Sequence, residues 1–172
     1  LMVFAVRLCE ELQILSKLPV EAKLSGAVGN FSAQLAAYPD ANWPKLSQKF
    51  ISSLGLKSAL ISTQIVSAES YSRVFSSLLR SNLILLDLDQ DTWRYISNGL
   101  FAQQKAKGQV GSSTMPHKVN PIDFENSEGN LGLANALLNF FIAKLPVSRL
   151  QRDLSDSTVK RNFAVALGYA CL

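Results

Sequence analysis

The sequence predicts an all-α fold, a bundle built on long helices. Three observations carry that expectation. From Ala68 to about Lys107 apolar residues recur at three- and four-residue spacing with no proline among them. A second such stretch opens at Pro121 and closes at Pro146. No run of residues alternates apolar and polar side chains strongly enough to predict a strand.

The elements follow in order. The first helix is expected from the N-terminus to about Leu18, stopped by Pro19. Residues 19–30 read as a loop ending in Gly26-Ala27-Val28-Gly29-Asn30, whose two glycines allow turns that other residues resist. A short helical turn through Ala37 is followed by the punctuation of Pro39-Asp40 and Trp43-Pro44. A helix from Pro44 to Leu54 then ends at Gly55.

The long element carries Tyr71, Phe75, Leu78, Leu79, Leu83, Leu86, Trp93, Ile96, Leu100 and Phe101 on its apolar face. At a rise of about 1.5 Å per residue it would be roughly 60 Å long, which in so small a chain implies a bundle completed by other subunits. Gly108 to Asn120 breaks the pattern. Asn120 is then a natural cap for the next helix, with Pro121 in first position and Asp123 and Glu125 favouring the first turn. Leu131, Leu133, Leu137, Leu138, Phe141 and Ile142 give that helix its apolar face. A last helix is expected from near Ser157. The first and last helices have no capping residues, so the chain is expected to be a piece of a longer protein, residues 1–172 forming a central helical-bundle segment.

Composition sets limits on function. Of the 172 residues 48% are hydrophobic and 17% charged, which excludes a disordered chain. No apolar run reaches the length of a membrane span, because Asp87 and Asp89 interrupt the nearest one, and no membrane partner is expected. Cys9 and Cys171 form no paired motif; they exclude a disulfide scaffold and a cysteine zinc site and fit a reducing compartment. Leu1–Leu8 lacks the basic start and cleavage site of a secretory signal, so a cytoplasmic location is expected. The net charge of +4 is mostly scattered, which argues against a nucleic-acid partner. Arg149, Arg152, Lys160 and Arg161 do cluster, as a solvated face or a place for a small anion.

The stretch Gly111-Ser112-Ser113-Thr114-Met115-Pro116-His117-Lys118-Val119-Asn120-Pro121 is the most informative. Glycine and serines expose backbone amides, and Lys118 and Asn120 suit a carboxylate. Ser112 is a nucleophile or base only if amides and a cation lower its pKa. On physical grounds this is an anion-binding loop at a helix start or a plain linker.

The form G-S-S-x-M-P-x-K-x-N-P resembles the signature of the fumarase/aspartase superfamily, whose members release fumarate by β-elimination. Ile122–Leu133, Gly26–Asn30, Thr63-Gln64-Ile65, Leu145–Arg149 and Gln151-Arg152-Asp153 are similar, within that superfamily, to the adenylosuccinate lyase family. The similarity runs through essentially the whole chain. It implies a nucleotide substrate, with adenylosuccinate split into AMP and fumarate and the succinylated aminoimidazole carboxamide ribotide split likewise. No cofactor and no metal are implied. It also implies a homotetramer whose sites gather residues from three subunits.

By that resemblance Ser112 is the base, six residues before Lys118. Lys118 and Asn120 bind the fumaryl carboxylates, and Ser113, Gln64 and Asn126 contact substrate. Arg152, Ser157, Thr158 and Arg161 take the nucleotide phosphate, where arginines add bidentate bonds and an expected helix start offers free amides. His117, the only histidine, falls to loop positioning, because the family's acid is a histidine in a Thr-His-Gly-type motif that this sequence does not contain. The isolated chain is therefore expected to be inactive. Val66-Ser67-Ala68 departs from the family's usual Pro-His-Asp after the glutamine. The alternative is a non-catalytic helical scaffold of the same ancestry, which the intact Ser112, Lys118 and Asn120 argue against.

Overall fold

A computed structural model describes residues 1–103 and 120–172. It places, in order, α1 (Met2–Leu15), β1 (Glu21–Ala22), α2 (Ser32–Ala37), α3 (Trp43–Ser53), β2 (Lys57–Ser58), α4 (Glu69–Ser97), α5 (Ile122–Lys144), α6 (Ser155–Lys160) and α7 (Phe163–Cys171). The all-α expectation holds. The two strands have two residues each and pair in parallel, Glu21 with Lys57 and Ala22 with Ser58. So short a pairing leaves no alternation in the sequence to read.

α4 and α5 lie side by side and form the spine; α1 packs on α4, and α7 on α5. At one end of the spine Phe75, Phe141 and Phe163 meet with ring centroids 4.8 to 5.4 Å apart in tilted and edge-on geometry. Such pairs add about 0.5–1.5 kcal/mol each beyond the area they bury. Ala68, Leu138, Leu145, Val159 and Ala166 close the core around them.

Toward the other end the seam turns polar. The buried side of α4 there runs through Asn82, Asp89 and Thr92, with Ile84 beside them. Asn82 Nδ2 donates to Asn135 Oδ1 at 2.9 Å across the helix pair. Leu83, Trp93 and Leu133, expected in the core, are exposed instead.

Several boundaries differ from expectation. α4 spans 29 residues and stops at Ser97, short of Lys107. Gly99 takes a left-handed backbone (φ 73°), and the amides of Leu100 and Phe101 bond back to Tyr95 O at 2.8 and 3.1 Å. That is a glycine stop signal, and it turns Leu100 and Phe101 off the helix. At about 1.5 Å per residue α4 is thus roughly 44 Å long. α1 ends at Leu15, with Ser16 and Lys17 in a turn.

Asn120 does not cap α5. The cap position is Pro121, whose ψ of 61° delays the helix by one residue, and no side chain caps it. The single helix expected from Ser157 is two, α6 and α7, broken at Arg161-Asn162. Asn162 Nδ2 donates to Thr158 O at 3.1 Å and its amide to Val159 O at 3.0 Å across the break. Ser157 and Thr158 are the third and fourth residues of a six-residue helix. α3 matches expectation within a residue: Asn42 Oδ1 accepts from the Lys45 amide at 3.1 Å and Pro44 sits in the first turn.

Candidate functional site

Ser112, Ser113, His117 and Lys118 lie outside the described residues. The other expected site residues fall into two groups, and α5 separates them.

The first group gathers where α4 begins and α5 ends. Gln64 is exposed on the loop before α4. Its neighbour Thr63 donates from Oγ1 to Gln151 O at 2.9 Å. That bond joins two segments 88 positions apart in the chain, through the residue before Gln64 and the residue before Arg152. Leu150 takes a left-handed backbone (φ 49°) just before them, a costly conformation for a leucine that turns the chain toward α6. A cavity of about 320 Å³ opens at this junction, lined by Ser62, Thr63, Ser67, Leu145, Pro146 and Ser148 among others.

Arg152 Nη2 donates to Ser157 Oγ at 2.8 Å. The buried Asp156 sits behind this pair. It lies 2.8 Å from Lys160 Nζ and 3.6 Å from Arg152 Nη2, and it accepts from Ser157 Oγ at 3.4 Å. Burial pushes the Asp156 pKa up, but the Lys160 hydrogen bond and the charges of Lys160 and Arg152 outweigh it and hold the carboxyl below its usual range. Arg152 Nε is buried without a partner among the described residues. Asp153 likewise lies 3.6 Å from Lys144 and 3.8 Å from Arg149. Its pKa is lowered first by the Ser155 amide and hydroxyl and then by those two cations. Arg161 is exposed and has no acid partner among the described residues. The C-terminal cations are therefore mostly paired on their inner side, while Arg161 is exposed.

The second group stands at the other end of α5. Asn120 precedes the helix, half-buried, and Asn126 is exposed on its second turn, accepting from Asn130 Nδ2 at 3.1 Å. Beside them Trp93 Nε1 donates to Glu125 Oε1 at 3.0 Å and Gln90 Nε2 to Glu128 Oε1 at 3.2 Å, around a cavity of about 410 Å³. Asp89 is buried below this rim, with one carboxylate oxygen lacking a partner among the described residues. Burial pushes its pKa up; the Ser127 hydroxyl works against that and Glu128 adds to it. From Asn126 to Leu145 the helix rises roughly 30 Å at about 1.5 Å per residue. The two groups cannot hold one small molecule within a single copy.

Sequence reasoning did not place Asp89 or Glu125 in these two neighbourhoods. Thr63 had a signal as part of Thr63-Gln64-Ile65, and Lys160 as part of the basic cluster. Among the described residues no cluster of histidine, cysteine or carboxylate side chains is suited to a metal ion.

Residues 1–136 match a family model described as a lyase. The chain belongs to that lyase family, of the fumarase/aspartase superfamily. Its curated relatives include proteins named adenylosuccinate lyase. One from Escherichia coli K12 is 49% identical over 168 residues. Others are 51% identical in Buchnera aphidicola of Acyrthosiphon pisum and 52% in Legionella pneumophila Corby, each over 169 residues. Each alignment takes in 98% of this chain and 37% of the relative, so the chain spans a little over a third of their length. Among the described residues no helix is long and apolar enough to cross a membrane.

Proposed function

We propose that this chain is the central helical segment of an adenylosuccinate lyase, a C–N lyase acting on a nucleotide in purine biosynthesis. The support is the signature loop, joined to relatives of about 50% identity that carry that name. In the proposed reaction Ser112, as alkoxide, takes the proton from the carbon beta to the leaving nitrogen. The carbanion delocalises into the adjacent carboxylate, where Lys118 and Asn120 offset the growing charge. The C–N bond breaks, an acid from outside this chain protonates the nitrogen, and fumarate and AMP leave. The succinylated aminoimidazole carboxamide ribotide reacts the same way. Gln64, Ser113 and Asn126 contact substrate, and Arg152, Ser157, Thr158 and Arg161 hold its phosphate.

The roughly 30 Å between the two groups supports a site shared between copies. Each pocket then takes the Gln64–Arg152 end of one subunit and the Asn120–Asn126 end of another, as in a cytoplasmic homotetramer. The exposed apolar side chains of α1 and α4, among them Val3, Val6, Leu12, Leu83 and Trp93, suit helix packing between those copies.

The test is Ser112→Ala in the full-length protein, with fumarate release followed directly. Turnover should fall by several orders of magnitude while thermal melting stays in place. A variant retaining half its turnover would remove Ser112 from the base position.

A further inference from the structure

The Gly26–Asn30 turn has no role in the reaction just described, yet it is built tightly against the Gln64 loop. Gly29 has a left-handed backbone (φ 85°), and a Cβ there would stand 2.1 Å from Ser62 O. The main chains of the two loops are therefore in direct contact. Ser25, fully buried, shares a hydrogen bond of 3.1 Å with Ser62 through their hydroxyls. Lys23 Nζ completes the junction, donating to Gly26 O at 2.8 Å and to Thr63 O at 2.6 Å.

This lysine is unusual in its company. No carboxylate pairs with it among the described residues. Its two partners are main-chain carbonyls from two loops. Burial lowers its pKa, so its bonds to these carbonyls are made at some desolvation cost. An ammonium bonded to neutral carbonyls gives stronger hydrogen bonds than a neutral donor would. The carbonyl it holds on the second loop belongs to the residue immediately before Gln64, and the same residue's hydroxyl reaches Gln151 O, next to Arg152. A chain of short contacts thus runs from Lys23 through Thr63 to the arginine end of the site.

We propose that Lys23 is a positioning residue for substrate binding: by holding Thr63 O it fixes the Gln64 amide relative to Arg152. The inference rests on the reading of Gln64 and Arg152 as substrate contacts. The Gly26–Asn30 turn is then a buttress, and Gly29 serves the close approach to Ser62.

The test is a double-mutant cycle in the full-length protein, with KM and kcat for adenylosuccinate measured for Lys23→Met, Gln64→Ala and the pair. Lys23→Met is expected to raise KM about tenfold, the scale of a lost charged hydrogen bond, with kcat falling far less. Because Lys23 acts through Gln64, the double variant should be no worse than Gln64→Ala alone. KM effects that multiply, or an unchanged KM in Lys23→Met, overturn the proposal. Should Lys23→Met fail to fold, Thr63→Val removes the bond to Gln151 O instead and must show the same lack of additivity with Gln64→Ala; multiplying effects there also overturn it. A wild-type protein with no lyase activity sinks the functional reading and this inference together, whereas an active wild type with an independent Lys23 sinks only the inference.

Discussion

The two ends of the α4–α5 pair are built on different chemistry. At one end three phenylalanines and their aliphatic neighbours exclude water. From the middle toward the other end, an asparagine pair and a buried aspartate occupy the same kind of inward position. The first arrangement is non-directional and tolerant of small slides. The second has partners that must meet at one distance, so it fixes the register of the two helices at a cost in desolvation. The difference also explains where α4's large apolar side chains go. With polar groups in the seam, Leu83 and Trp93 are left on the outside, available to other helices.

The largest test of this contrast is in the aromatic end. Phe141, 1% exposed, is its centre. Phe141→Ala should cost about 3–5 kcal/mol, because neither partner ring can fill the space, and urea unfolding reads that loss. A cost near 1 kcal/mol would mean that this end is no more specialised than the polar one.

The next test is in the asparagine pair. Asn135→Ala alone strands the Asn82 amide in the seam and should cost about 1–3 kcal/mol. Replacing both Asn82 and Asn135 with leucine should be closer to neutral in stability, since no unpaired group remains. If the double variant were worse than the single one, the pair would be adding stability and not only register.

The smallest effect is in pH, where two buried carboxyls carry opposite signs. Asp89 has its folded pKa raised by burial. It binds protons more readily in the folded state, so its charge destabilises the fold above that raised pKa and the penalty fades as pH falls toward the ordinary aspartate value. Asp156 has its folded pKa lowered, net of burial, by Lys160 and Arg152. Its contribution is present above the ordinary aspartate value and is lost as pH falls through the lowered one. Asp89→Asn should therefore raise the melting temperature at neutral pH and do little in acid. Asp156→Asn should lower it at neutral pH, with the difference closing at the acid end. Parallel shifts of the two variants would contradict the contrast.

The sequence made the spine legible because apolar spacing survives through both long helices. It did not show where they stop. Gly99 and Pro121 decide that by their own backbone angles, and a periodic pattern continues past such residues unaltered. The polar seam was hidden for a related reason: Asn82 and Asp89 look like solvent-facing residues until the partner helix is placed against them. Of the candidate site, the residue types proposed to meet substrate were legible through the signature loop and the arginine cluster. Their supports were not. Lys23 acts on carbonyls, which every residue has, and Thr63 meets a backbone atom 88 positions away. Neither leaves a mark in spacing or charge.

The bond between Trp93 Nε1 and Glu125 Oε1 has an optical consequence. The chain holds two tryptophans, and the other, Trp43, opens α3 and donates to Tyr38 O just before it. Trp93 alone has its indole tied to the first turn of α5, where a carboxylate at the ring nitrogen and partial exposure to water both colour its emission. The molecule thus carries its own dye at the end of the spine where the signature loop joins.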